Sequence, residues 1–224
     1  MTHEHIVKKF DRNLEKIKVS VLEMGEIVIQ QVEDATAVLV TFDSKEADRI
    51  TMLDRWVNGL NKEIYDRAEI LIVRRQPMAL DLRQSLAPIN ISSELERIGD
   101  HAKSTAKRAE IINKGDPVQA ALDLILEMSR LVQTMLRDVL VAYANLDVEL
   151  AAEIRMRDRE VDNLNKQMLE AAIALTRAMP ENAEALIHLV LISRNFERAG
   201  DHVCNIARFV HQIATGEDLK ASVT

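Results

Sequence analysis

The sequence predicts an all-α protein made of two tandem, pseudo-symmetric three-helix bundles, six helices in all. Three observations predict it. Apolar residues recur at alternating spacings of four and three over many consecutive turns, the stripe of a long amphipathic helix. No segment shows the period-two alternation of a half-buried strand. The chain also repeats itself: LEM at 22–24 returns at 126–128, and MLDRWVNGLNK at 52–62 aligns with MRDREVDNLNK at 156–166, both displaced by 104 residues. Farther along, LERIGDH at 95–101 returns as FERAGDH at 196–202, displaced by 101. A repeated supersecondary unit of this length is one helical hairpin copied in tandem.

The elements follow in order. The first helix carries the seam Phe10, Leu14, Ile17, Val21, Met24, Val28, Ala35, Val38 and Phe42, interrupted only at Gln31. Asp43 with Glu46 forms a capping box that opens the second helix. That helix is expected to stop at RRQP, because Pro77 disfavours a helical Gln76. The third carries LERIGDH and is expected to kink at Pro88. NKGDPV at 113–118 marks the boundary between the copies, with Gly115 suited to end one helix, Asp116 to cap the next and Pro117 to its first turn. The repeats are therefore assigned to 1–114 and 115–224. The fourth helix has its seam at Val118, Leu122, Ile125, Val132, Leu136, Val139 and Tyr143, with Ser129 in the one polar place. Asp147 opens the fifth helix, which runs to Met179 before Pro180, and the sixth carries FERAGDH. RRQPMALDLR against RAMPENAEAL is where the second copy loses three residues.

Composition narrows the function. At 224 residues and 47% hydrophobic, the chain has ample material for a core. With 36 Asp plus Glu against 29 Lys plus Arg, its net charge of −7 leaves no excess of cations for a nucleic-acid backbone. The single cysteine, Cys204, forms no internal disulfide and fits a reducing compartment as a small core residue. MTHEHIVKKFDR lacks the pattern of a signal peptide, and no apolar run is long enough to span a bilayer. The expectation is a cytosolic protein. The nine methionines are read mainly as core filling. His3 and His5 are assigned to a frayed terminus and His188 to a structural role.

The chemistry concentrates in the repeated motif. Glu96 and Asp100 are four residues apart, as are Glu197 and Asp201, so each pair shares a helix face at about 5–6 Å between Cβ atoms. Gly99 and Gly200 lie between the paired carboxylates and each costs about 1 kcal/mol of helix propensity relative to Ala, which points to close approach of another helix or a ligand. The second helices offer Asp158 and Asp162, and in the first copy Asp54 and Asn58. Facing the helices would bring four carboxylates together in the second copy, and three with an amide in the first. Such oxygen sets suit Mg²⁺, Ca²⁺, Mn²⁺ or bridged iron. Ion pairing with Arg97 and Arg198 accounts for the same acids without a metal. His101 and His202, pointing about 100° from the neighbouring Asp, are assigned packing or hydrogen-bonding roles.

RRQPMALDLR followed by ISSELERIGDHA, with a second ERAGDHVCNIA, resembles the PhoU family of phosphate transport system accessory proteins, over nearly the whole chain. The resemblance implies a cytosolic, usually dimeric regulator of phosphate signalling without catalytic turnover. It would act between the phosphate ABC transporter's ATPase subunit and a phosphate-sensing histidine kinase, holding the starvation response off when phosphate is ample. The membrane would be reached only through those partners. It also implies metal ligands at Asp54, Glu96 and Asp100, and at Asp158, Asp162, Glu197 and Asp201. Asn58 departs from the acidic pattern, so the first site is expected to hold metal more weakly.

Two other function classes fit parts of the same pattern. A carboxylate-bridged di-iron enzyme would need Glu-x-x-His, and here Gly99 and Gly200 stand at the histidine places. A histidine phosphotransfer module would need an exposed imidazole at His101 or His202.

Overall fold

The computed structural model describes residues 3–41, 44–112 and 119–217. Six long helices account for nearly all of them: α1 (His3–Thr41), α2 (Ser44–Arg75), α3 (Ala79–Ile112), α4 (Gln119–Asn145), α5 (Val148–Ala178) and α6 (Ala183–Thr215). A single 3₁₀ turn, Pro180–Asn182, precedes α6, and no strand occurs among the described residues. The seams behave as their spacing requires. Ile17, Val21, Met24, Val28, Ala35 and Val38 of α1 are buried, and so are Leu122, Ile125, Val132, Leu136 and Val139 of α4. Gln31 does not interrupt its seam, because it is buried like its neighbours. Asp147 caps α5 by accepting a hydrogen bond from the Leu150 amide at 3.0 Å. The Asp43–Glu46 cap and the NKGDPV boundary lie outside the described residues and side chains.

Helix ends follow the punctuation, with one refinement. α2 ends at Arg75, and Gln76 leaves the helical region for the left-handed one at φ 47°. α3 is continuous through Pro88, which packs into the interior. Met24, Met128, Met135 and Met168 fill the core, but Met52, Met78 and Met156 are more than half exposed, which corrects the reading of methionine as filler. A long exposed face has room for flexible apolar side chains that the seam does not claim.

Helices α1, α2 and α3 pack into one bundle and α4, α5 and α6 into a second, joined along α3–α6 and α1–α4. The α1–α4 crossing explains the single polar place in α4. A Cβ on Gly25 would lie 2.5 Å from Leu140 Cδ1, so that α1 position must be empty for α4 to approach. Residue 129 is the copy of 25 and residue 140 the copy of 36, and at the equivalent place Ser129 and Thr36 share a 2.5 Å hydrogen bond between hydroxyls. The two repeats thus meet around a local two-fold axis, each giving one small residue to receive the other's side chain. Glu33 and its own copy, Arg137, form an ion pair across the same axis.

Candidate functional site

The repeated motif places its acids where α3 meets α2 and where α6 meets α5. The helical glycines are what let these helices close. A Cβ on Gly200 would lie 2.6 Å from Asp158 Oδ1, and one on Gly99 2.8 Å from Gln31 Oε1. The first contact brings the α5 carboxylate onto the α6 motif. The second was not legible beforehand: Gly99 receives a buried amide from α1, and Asp54, the copy of Asp158, turns elsewhere.

In the second repeat, Asp158 and Asp162 face Glu197 and Asp201. The carboxyl of Asp158 is pushed up to about 6 by burial, then by the charges of Asp201 and Asp162, with only the Cys204 thiol hydrogen-bonded to it in compensation. Burial and then Asp162 raise Asp201. Glu197 is raised by burial despite Arg194, whose guanidinium lies 2.6 Å from its Oε1. Its other oxygen, Oε2, is buried without a hydrogen-bond partner. The arginine that pairs with Glu197 is therefore Arg194 and not Arg198.

The first repeat resolves the same geometry differently. Lys103, one turn beyond the motif, sends its Nζ to within 2.7 Å of Asp54 Oδ2 and 3.7 Å of Asp100 Oδ1. That hydrogen bond to Asp54 is the main cause of a raised ammonium pKa at Lys103. Glu96 still feels burial and the nearby Asp100, with Arg97 only 3.7 Å away as a loose partner. Asn58 is exposed. At the 101-residue displacement Lys103 corresponds to Cys204, so an ammonium in one copy stands where a thiol stands in the other. Cys204 is accordingly no plain core residue. It is half-buried against Asp158, and burial followed by that carboxylate pushes its thiol pKa up. Carrying the repeat alignment past the motif would have found this pair.

Between the clusters, His101 and His202 stack with ring centroids 5.5 Å apart and an interplanar angle of 27°. His202 Nδ1 lies 2.6 Å from Glu94 Oε2, which also accepts a 3.1 Å bond from Asn205. Burial works to raise Glu94, but these bonds and the histidine's charge hold it below the usual carboxylate range. Burial, followed by the charges of His202 and Arg198, pushes His101 down to about 4. The histidines are packing and hydrogen-bonding groups at the α3–α6 seam. The exposed imidazole that phosphotransfer needs is not offered by either.

The seven acids thus gather at two places, yet among the described residues no group of three or more His, Cys, Asp or Glu is arranged around one point as a ready metal site. The donor chemistry of the two clusters differs. In the second, four carboxylates, one of them Glu197 with its buried Oε2 unpartnered, are donors of the kind a hard cation takes. The first already holds a cation, the Lys103 ammonium, and fits a metal poorly.

This fold and site define a class: a duplicated three-helix bundle with an acidic E-x-x-x-D cluster in each copy. The PhoU domain family model matches the chain twice, over residues 21–109 and 125–210, and the chain belongs to the PhoU family. A phosphate-specific transport system accessory protein PhoU homolog from Caulobacter vibrioides is 38% identical over 216 residues, covering 96% of this chain and 94% of that protein. The homolog from Rhizobium meliloti is 35% identical, covering 96% of this chain and 91% of its own length. The crystal structure of PhoU from Pseudomonas aeruginosa superposes with a TM-score of 0.89 at 30% identity, covering 93% of this chain and all of that one. The corresponding protein from Streptococcus pneumoniae gives 0.87 at 25% identity over 95% of this chain and all of its own. The family is one of non-enzymatic accessory proteins of phosphate transport systems. No helix among the described residues is long and apolar enough to cross a membrane.

Proposed function

We propose that the chain is a cytoplasmic adaptor that regulates phosphate uptake. It would bridge the ATPase subunit of a phosphate ABC transporter and a phosphate-sensing histidine kinase, and repress the starvation response when phosphate is ample. The observation that carries this reading is an open apolar groove between α5 and α6, about 430 Å³ in volume, rimmed by Leu169, Ile173, Ile187 and Leu191. These side chains are 39–60% exposed, in a protein whose core needs no further apolar surface. The first repeat shows Tyr65 and Leu86, the copies of Leu169 and Ile187, likewise exposed at 49% and 42%. Two related apolar faces on one molecule suit a protein that holds two partners. Homodimer formation belongs to the same proposal and rests on family likeness.

The acidic clusters enter as a tuning element. Asp158, Asp162, Glu197 and Asp201 would hold a divalent or iron cation that relieves their mutual repulsion. Asp54, Glu96 and Asp100 would be closed to metal by Lys103, a stronger reason than the missing carboxylate at Asn58. Capture from phosphate-replete cells tests the adaptor: the wild-type chain should retain both membrane complexes, and L169D/I187D should lose at least one with its helix content intact. Failure of the wild-type chain to retain either complex would sink the reading. Elemental analysis of protein purified without chelator tests the metal separately, with the expected metal content abolished by E197A/D201A and unchanged by E96A/D100A.

A further inference from the structure

We propose that the first repeat carries a binding cleft for an oligophosphate anion between α1 and α2, which the second repeat lacks. In a chain of net charge −7, a cavity of about 300 Å³ is lined by five cations: Lys9 and Lys16 from α1, and Arg67, Arg74 and Arg75 from α2. Its floor is apolar, formed by the buried Ile17 and Leu71. The volume is at the lower end of the roughly 300–1,000 Å³ common for small-molecule sites.

Among the described residues a single carboxylate, Glu63, is ion-paired with this concentration of charge. Arg67 is ion-paired with Glu63 on its own helix and donates to Ser20 Oγ at 3.1 Å. Among the described residues, Lys9, Lys16, Arg74 and Arg75 have no carboxylate partner. Arg74 and Arg75 lie in the last turn of α2, where the helix dipole favours a cation. That stabilisation does not reach Arg67, two turns inward, and Lys9 and Lys16, on the N-terminal half of α1, gain none of it. Repulsion among these side chains is therefore a cost to the free protein that a bound anion would remove.

The repeat supplies a control within the same molecule. At the 104-residue displacement Lys9, Lys16 and Arg67 correspond to Asn113, Ala120 and Ala171, and where RRQP faces RAMP the Arg74–Arg75 pair is met by the single Arg177. One scaffold thus carries five positive groups in one copy and one in the other, so the bundle does not need the full set to fold. Their spread selects the ligand class. Lys9 and Lys16 are seven residues apart on one helix face, about 10 Å along the axis, a span longer than one phosphoryl group. Three guanidinium groups, each able to grip an oxyanion with two parallel bonds, favour a chain of phosphoryl groups over a lone carboxylate. This site is remote from the acidic clusters, and the adaptor reading does not depend on it.

The test is isothermal titration calorimetry of the full chain, in chelator, with inorganic tripolyphosphate and with orthophosphate. Vesicles of neutral lipid with and without an anionic phospholipid form a third arm, read by co-sedimentation. The variant K16A/R67A/R74A removes three of the five cations, two of them to the alanines that the second repeat has at the same places, and its unfolding midpoint reports that it folds. Tripolyphosphate should bind the wild type more tightly than orthophosphate and lose at least about tenfold in affinity in this variant, given the strength of hydrogen bonds to charged groups. K62A/R159A/K166A, which removes equal charge elsewhere, should change affinity by less than about twofold. No tripolyphosphate binding by the wild type would overturn the proposal, as would equal losses in both variants or orthophosphate binding as tightly. Attachment to anionic vesicles without binding of free tripolyphosphate would assign the cleft to a lipid surface and overturn it as well.

Discussion

Position 103 shows what a single side chain does to a duplicated site. Asp54 is 4% exposed, and its carboxylate depends on the Lys103 ammonium 2.7 Å away. Removing one partner of such a pair leaves the other charge stranded. Lys103→Ala should lower stability by roughly 2–3 kcal/mol, less than for a fully buried pair because Lys103 stays partly in water. Adding Asp54→Asn should recover most of that loss. Urea unfolding of both variants checks it, and a K103A midpoint equal to the wild type would show that Asp54 is satisfied some other way. Asp158 presents the opposite case. Its carboxyl titrates at about 6 in the fold against 3.8 when free, so the folded state binds the proton more tightly. Folding stability from this group is then highest at acid pH and declines as pH rises from about 4 through 6. Asp158→Asn should therefore stabilise the chelated protein at pH 7 by about 1 kcal/mol, after discounting for solvent screening, and the gain should vanish near pH 4. Thermal unfolding at the two pH values reads the difference; a gain that grew as the pH fell would reverse the assigned sign.

At the scale of the helices, the two motif glycines look equivalent in sequence and differ in what they meet. An alanine gains about 1 kcal/mol of helix propensity over glycine at either place. At Gly200 the new methyl meets the tip of Asp158, a half-buried side chain that can swing aside. At Gly99 it meets Gln31, whose amide is fully buried and whose Oε1 has no hydrogen-bond partner. Gly200→Ala should thus be close to neutral and Gly99→Ala destabilising by about 1–2 kcal/mol, as measured by denaturant titration. Equal effects would mean that Gln31 has room to move. The same contrast marks the reach of sequence reading. Helix limits at Arg75 and Asp147 were legible because proline and capping chemistry act locally. The gathering of acids was legible because four-residue spacing fixes a helix face. The Gln31–Gly99 contact, the Lys103 bridge and the stacked histidines were not, since each depends on the register of two helices, which packing alone sets.

For the whole molecule, duplication does not mean independence. The buried residues form one continuous hydrophobic cluster running through both bundles, from Ile17 to Ile213. The seam between bundles is specific as well as apolar: the histidine stack, the Glu94 bonds to α6 and the 3.2 Å bond from Asn195 to Thr105 all cross from α3 to α6. On the α1–α4 side Lys18 donates to the Ala144 carbonyl at 2.6 Å. Splitting the chain at the proposed boundary, between 114 and 115, would expose both seams and leave these groups to water. The repeats are therefore units of ancestry and geometry that share one folding transition. Calorimetry of the intact chain should show a single peak whose calorimetric and van't Hoff enthalpies agree. Segments 1–114 and 115–224 made separately should be poorly folded, and should regain native helicity and a sharp transition on mixing. Two resolved peaks, or either segment melting cooperatively alone at the temperature of the whole, would show that each bundle stabilises itself and that the α3–α6 seam is only a docking contact.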